Sequence, residues 1–459
     1  MEKTTEKTQN RLFNRGDYLE ILVFAALCLF VISPVIQILR ELIAPPKETL
    51  FGPIRTYPFT VETINYFVAL VAIIVWLSIV LRTLRCIRLG EQIKLFGPLV
   101  LFGILAFWMY LCQAVNGFTE YAYTGDPYRN ESLYTFVLYI LGYFFLGVSL
   151  KTSKLRMAVV VSFLIVNLSV GFLVLIDYYI TPLEFYRDSQ GVAAIFHQFN
   201  HYGYYLTLGI LLSVMLFVES STRWLLKLFG IFVYLTDIVI LILNDTLGCY
   251  LAVIAALIFA MIVIISKRSG RSEFCRLVIA IVLLVIVTVG MHLLDQNNTH
   301  DVTKLASDIG NIAEGNENAQ SAGTGRWALW THTVEYIGEK PVFGWGVEGI
   351  MKRLEGEKDS INDRPHNEYL QWAAFFGIPG ALLYLASLSL VMFGMLRNIK
   401  QAGAVSFACY IASAGYIASA FFGNTMYYTA PFFFIFLGMC CSDRFYRMRE
   451  VEVANTPQE

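Results

Sequence analysis

Apolar runs of about 17 to 25 residues recur along almost the whole chain, each long enough to cross some 30 Å of hydrocarbon as a helix. Twelve such spans are expected, near 19–40, 61–82, 96–115, 133–150, 157–178, 199–218, 224–244, 246–266, 277–294, 368–396, 402–422 and 425–441. One polar interval interrupts the rhythm, residues 295–367 between the ninth and tenth spans. Within it Trp327, Trp330, Val334 and Ile337 recur at three- and four-residue spacing, which predicts an amphipathic helix over 325–338, stopped by Pro341 and lying near the membrane surface. No linker or internal repeat divides the chain, so the expected architecture is all-α, a single polytopic membrane domain over 1–459 with one large loop.

Composition agrees with that pattern. The chain has 459 residues, 57% of them hydrophobic and 15% charged, and a mean hydropathy of +0.59, far too apolar for a soluble protein of this size. A formal net charge of -1 conceals an asymmetry. With both termini in the cytoplasm, about 22 of the 34 Lys and Arg fall on the inner side, as the positive-inside rule requires. The 295–367 loop then faces outward across the cytoplasmic membrane. No basic patch suggests a nucleic-acid partner, and the eight cysteines show neither a disulfide framework nor metal-ligand spacing. The first span follows a polar segment, exceeds a signal-peptide core in length and lacks a small-residue cleavage site, so it reads as a retained helix.

Candidate chemistry concentrates in the loop. Arg326 falls in the first turn of the amphipathic helix behind Thr324 as a possible N-cap, where backbone donors and a guanidinium could face a diphosphate. The alternative is an Arg snorkelling to lipid headgroups or pairing with Glu335 or Glu339. His366 opens an apolar span, between Arg364-Pro365 and Asn367-Glu368. A neutral imidazole there could take a proton from a hydroxyl, with Asn367 or Glu368 orienting it; an interfacial helix cap is the competing reading. The string from Gly344 to Gly349 has the letters of a dinucleotide fingerprint but follows no strand, so its glycines are expected to permit a tight path that packs Trp345 against the membrane domain. Asp237 and Asp245 lie in or beside apolar spans, where carboxylates often mark an ion path. Asp245 is either part of an outer cavity or a structural cap.

The succession T-G-R-x-x-x-W from Thr324, P-x-x-G-W-G from Pro341 and H-N-E-Y-L-Q-W-A-A-x-x-G-I-P-G from His366 resembles the signature region of the O-antigen ligase and O-antigen polymerase superfamily, which includes bacterial protein O-oligosaccharyltransferases. The strongest portion covers 324–380; the helix count, the large loop and F-H-Q-F-N-H-Y-G-Y-Y-L from Phe196 extend it across the chain. The resemblance implies a metal-independent, cofactor-free, inverting transfer of a glycan from an undecaprenyl-diphosphate carrier to a hydroxyl of a glycan, lipid, wall polymer or protein on the outer face. By that analogy Arg326 holds the diphosphate and His366 activates the acceptor, with Asn200, Asn367, Trp330 and Asp245 in the substrate site. Where many relatives carry a Ser-Arg pair this chain has Thr246-Leu247, and Arg187, Arg364 or Arg129 are the candidate substitutes, Arg187 first. A ligase and a polymerase are both open, and a polysaccharide flippase is the rival from another class, motivated by the twelve spans and Asp237.

Overall fold

The computed structural model describes residues 15–43, 48–49, 52–53, 57–88, 95–125, 129–181, 183, 187–188, 191–196, 198–268, 270–294, 311, 325–350 and 364–454. Among them nine helices are long and apolar enough to cross a membrane, or ten if one bent pair counts as a span. In chain order the helices are α1 (Arg15–Val31), α2 (Ser33–Ile43), α3 (Tyr57–Arg88), α4 (Gly97–Asn116), α5 (Leu133–Ser149), α6 (Ser153–Tyr179) and α7 (Phe199–Val218). They continue as α8 (Trp224–Asn244), α9 (Leu247–Val263), α10 (Arg271–Leu294), α11 (Arg326–Glu339), α12 (Glu368–Asn398), α13 (Ala404–Ser419) and α14 (Ala430–Ala454). Two-residue strand pairs, Glu48–Thr49 with Gly52–Pro53 and Arg187–Asp188 with Gly191–Val192, are minor additions.

All twelve expected spans are helical, but they are not alike. The first is bent by 48° between α1 and α2, α5 is shorter than the rest, and α14 is apolar only until Asp443. Their surroundings differ as well. In α7, 94% of the most apolar window is buried inside the protein, against 17% for α10, whose Val282, Val285, Ile286 and Val289 face outward. A helix apolar all round and buried is a bundle core, whereas one apolar and exposed needs lipid as its solvent.

The most consequential irregularity is in α12. Gly377 takes φ 71° and Pro379 follows, so the helix breaks near its start. Carbonyls released by the break cannot turn to water inside an apolar bundle, and they are met from two sides. The loop after α11 donates Trp345 N to Ala374 O at 2.8 Å and Gly346 N to Phe375 O at 2.9 Å. Trp108 Nε1 on α4 donates to Phe376 O at 2.9 Å. This backbone-on-backbone seat requires glycine: a Cβ on Gly344 would sit 2.6 Å from the Gly377 nitrogen, and one on Gly377 would sit 2.0 Å from the Val342 oxygen.

Helix α11 forms one residue later than the spacing implied and presents two apolar faces. Leu329, Thr333, Tyr336 and Ile337 are buried, while Trp327, Trp330 and Val334 border a groove, so the expected Trp327-to-Ile337 stripe is split between them. Both faces find apolar surroundings because the helix packs across the broken start of α12, which draws the 329–337 face inward. Its N-cap is Gly325 rather than Thr324, which lies outside the described residues, as does nearly all of 295–324.

Gly377→Ala and Gly344→Ala are expected to lower the thermal unfolding midpoint in detergent by roughly 5 °C or more, because each adds a Cβ overlap to a left-handed backbone. Gly103→Ala, whose Cβ would meet nothing within 4 Å, is the comparator and should leave the midpoint unmoved. Equal midpoints for all three would refute the account of the seat.

Candidate active site

A single guanidinium joins three loops at one end of the bundle. Arg364 has no solvent exposure, and its two terminal nitrogens donate to different carboxylates, Nη1 to Glu131 and Nη2 to Glu348. Nη1 also reaches Thr425 O at 3.3 Å, and the Phe375 ring lies 5.7 Å from the guanidinium carbon. The fork of arginine suits this divided task, since its donors are fixed in one plane. Glu348 adopts φ 59°, a left-handed turn that the preceding Gly344 and Gly346 lead into. Glu131 accepts from Tyr139 OH at 2.7 Å. Tyr139 belongs to a π-helical turn, Leu138–Tyr143, inside α5, which changes the direction of its side chain relative to a regular helix. Burial pushes the Glu131 carboxyl up, opposed first by Arg364 and then by Tyr139.

Arg326 is in a different situation. It is half-buried at the first position of α11, and no side chain caps that helix start. Tyr204 and Cys249, on α7 and α9, are within electrostatic reach of its charge. One turn further, the Trp330 ring meets Phe421 at 5.3 Å, and its buried Nε1 has no hydrogen-bond partner among the described residues. Trp330 lines an apolar cavity of about 560 Å³ together with Trp327, Tyr369, Leu370 and Asn367. Asn367 is the N-cap of α12, its side chain accepting from Leu370 N at 3.1 Å. His366, half-buried and at φ 49°, immediately precedes it. The helix that Arg326 opens and the segment around His366 thus both contribute walls to this cavity, through Trp327 and Trp330 on one side and Asn367 on the other.

One turn past Asn367 on α12, Gln371 begins a buried polar floor. Gln371 Oε1 accepts from Thr425 N at 3.0 Å, while Gln371 Nε2, Thr425 Oγ1 and both amide atoms of Asn424 are buried with no hydrogen-bond partner among the described residues. Tyr204 OH abuts Gly423 on the same loop, where a Cβ would come within 1.5 Å of it. Asn200, one helical turn before Tyr204, is buried with Oδ1 likewise unbonded. Each such atom costs about 1 to 3 kcal/mol, a cost that a hydroxyl-rich ligand can offset. Beneath them the buried Glu368 carboxylate accepts from Tyr384 OH, whose ring stacks on Trp372 at 4.2 Å.

The remaining candidates stand apart. Asp245 is exposed at φ 59° as the C-cap of α8. Beside it Asn244 donates to Val192 O at 2.6 Å and Phe199 O at 2.8 Å and accepts from Thr246 Oγ1 at 2.6 Å, a clamp that ties Thr246 to the end of α8. The side chain of Arg187 lies outside the described residues. Arg129 is buried with its charge directed at Glu131. Asp237 is enclosed, bonded by Asn167 Nδ2 at 2.5 Å, and a Cβ on Gly209 would stand 2.5 Å from that nitrogen. Glu131, Glu348, Tyr204 and Gln371 were not singled out by sequence. The available signal was a carboxylate placed directly before an apolar span or between glycines.

Residues 231–385 match the O-antigen ligase family. That stretch runs from within α8 into α12 and contains Arg326, Glu348, Arg364 and His366. A curated O-antigen polymerase of Salmonella muenchen is 23% identical over 192 residues, which is 41% of this chain and 43% of the relative. The aligned part thus spans less than half of that relative. Over these stretches the chain is similar to O-antigen ligases and polymerases.

Replacing Arg364 by Met leaves two buried carboxylates uncompensated, and a loss of about 3 to 5 kcal/mol of stability is expected. The loss should shrink toward acid. A carboxyl whose folded-state value is raised, as burial raises Glu131, stabilises the fold at pH below the ordinary carboxylate range and loses that contribution as pH rises through the folded value. Unfolding midpoints of Arg364→Met from about pH 8 down to about pH 5 check this; a deficit that grows toward acid contradicts the ion-pair account.

Proposed function

We propose that this chain is a glycosyltransferase that moves a glycan from an undecaprenyl-diphosphate carrier to an acceptor hydroxyl in surface polysaccharide assembly. The observation that carries the reading is the shared cavity: Trp330, one turn past Arg326, and Asn367, next to His366, are two of its walls. Most of its other walls are apolar or aromatic, Trp327, Val334, Tyr369, Leu370 and Phe421 beside Thr331 and Glu335, which suits the first isoprene units of the carrier, and Arg326, one turn before Trp330, is assigned to the diphosphate head. The basic character of the segments at the opposite end supports the reading that this end of the bundle faces outward from the cytoplasmic membrane, with both termini in the cytoplasm.

In the reaction, the acceptor oxygen attacks the anomeric carbon from the face opposite the diphosphate. The new C–O bond forms as the bond to the diphosphate oxygen breaks, with inversion. His366 takes the acceptor proton, and the electron pair departs with the lipid diphosphate. Arg326 and the uncapped first-turn N–H groups of α11 bear the charge that develops on that leaving group. A diphosphate leaves readily, so positioning and charge neutralisation supply the rate without a metal. The polar floor at Asn200, Gln371 and Asn424 holds sugar hydroxyls. Arg364, surrounded by carboxylates, positions the loops and does not bind phosphate; Asp245 acts as a helix cap.

Purified protein in lipid nanodiscs with an undecaprenyl-diphosphate-linked repeat unit tests the proposal. Transfer is expected to fall about 10²- to 10⁴-fold in Arg326→Ala and in His366→Ala, at unchanged unfolding midpoints. Normal transfer by both variants sinks the assignment. A ladder of longer lipid-linked glycans with no added acceptor identifies a polymerase, whereas transfer only after envelope acceptors are supplied identifies a ligase.

A further inference from the structure

A second, larger cavity of about 810 Å³ lies between α3, α4 and α5, on residues the proposed chemistry does not use. Its volume falls within the roughly 300 to 1,000 Å³ of small-ligand sites. Small side chains make it deep: Ala69 and Ala72 on α3, Gly103 on α4 and Gly142 on α5. At Gly103 an added Cβ meets nothing within 4 Å, so the helix faces open space there. The π-helical turn of α5 shapes the opposite wall, where Trp76 Nε1 donates to Leu141 O at 2.8 Å.

The two ends of this cavity differ in chemistry. Along the spans it is apolar. At the end nearer the Arg364 lock it carries Glu62, Asn65, Asn130, Tyr134 and Tyr427. Tyr66 OH donates to Glu62 at 3.0 Å, and Tyr143 OH donates to Asn65. Among the described residues no Lys or Arg lines it. A carboxylate with amides and phenols exchanges hydrogen bonds with hydroxyl groups, whereas a phosphate there would face Glu62 with no cation to balance it. Asn130 and Ser132, both lining residues, flank Glu131, so the polar end borders the loop that grips Arg364.

We propose that this cavity binds a glycolipid, with one hydrocarbon chain along α3 and α4 and an uncharged, hydroxyl-rich sugar against Glu62, Asn65 and Asn130. This binding does not depend on the transfer reading above.

The probe is an alkyl glucoside bearing a diazirine in its tail, photolysed on the purified full-length protein and mapped by peptide mass spectrometry, beside an alkyl phosphate of the same tail. Glucoside labelling is expected to concentrate in 62–76 and 134–142 and to exceed that of the phosphate. Gly103→Phe fills the cavity and should cut this labelling at least about tenfold, with an unfolding midpoint within about 2 °C of wild type. Should Gly103→Phe unfold, competition of the wild-type labelling by unreactive alkyl glucoside serves as the second measurement. Labelling spread evenly over the lipid-facing α10, favouring the phosphate, or indifferent to both Gly103→Phe and the competitor overturns the proposal. Failed labelling beside intact glycan transfer removes only this cavity's assignment. Specific labelling in a protein without transfer activity upholds the site and removes the transfer reading.

Discussion

A charge with no water around it must find opposite charges within hydrogen-bond reach, and Arg364 imposes that condition on three distant parts of the chain. The loop before α5 must deliver Glu131, the turn after α11 must deliver Glu348, and the start of α12 must hold Arg364 between them. An apolar contact could slide by an ångström at little cost; a buried ion triad cannot, because each displacement exposes a full desolvation penalty. That difference explains why the end of a helix bundle, where loops are otherwise free to vary, is fixed here by charge. Neighbouring features then follow from the lock: the π-helical turn that brings Tyr139 to Glu131, and the left-handed backbone at Glu348.

The break in α12 belongs to the same chain of causes. An unbroken helix would leave no acceptors for the Gly344–Gly349 turn, and without that turn Glu348 would have no route to Arg364. Gly377 and Pro379 release carbonyls in a place where only protein can satisfy them, and Trp345 N, Gly346 N and Trp108 Nε1 do so. The turn in turn supports α11: Trp345 Nε1 donates to Tyr336 O at 2.8 Å, and Lys340 Nζ lies 4.3 Å above the Trp345 ring. The position of Arg326 is thus set by backbone chemistry in another helix rather than by its own contacts. Most changes of rate caused by substitution in this region should therefore reflect displaced geometry, with side chains that touch substrate forming the exception.

Periodicity and length made the membrane helices legible, because a run of apolar residues has one meaning in lipid. The tight glycine path around Trp345 was legible too, since close backbone approach is what repeated glycines permit. Burial of charge was not. Arg364 and Arg326 look equivalent in a polar loop, and only the fold brings Glu131, 233 residues away, to one of them. The stripe on α11 was misread in phase because a helix between lipid and protein is apolar on two sides, and a single spacing rule cannot assign the faces. Asp237 looked like an ion-path residue by the cost of burying it; the fold meets that cost with Asn167, supplied by a different helix.

The two arginines also differ in how their charge is balanced. Arg364 and Arg129 are offset by Glu131 and Glu348, so the lock adds little net charge to its surroundings. Arg326 keeps partial exposure and stands at a helix start that no side chain caps, where its charge and the first-turn N–H groups add to one positive end. With Thr246-Leu247 at the position of the superfamily's Ser-Arg pair and Thr246 tied to Asn244, no second guanidinium is supplied from that helix. Charge neutralisation then rests on Arg326 and the backbone of α11 together. For the proposed transfer, this arrangement makes the orientation of α11, and through it the broken α12, as important as the arginine itself.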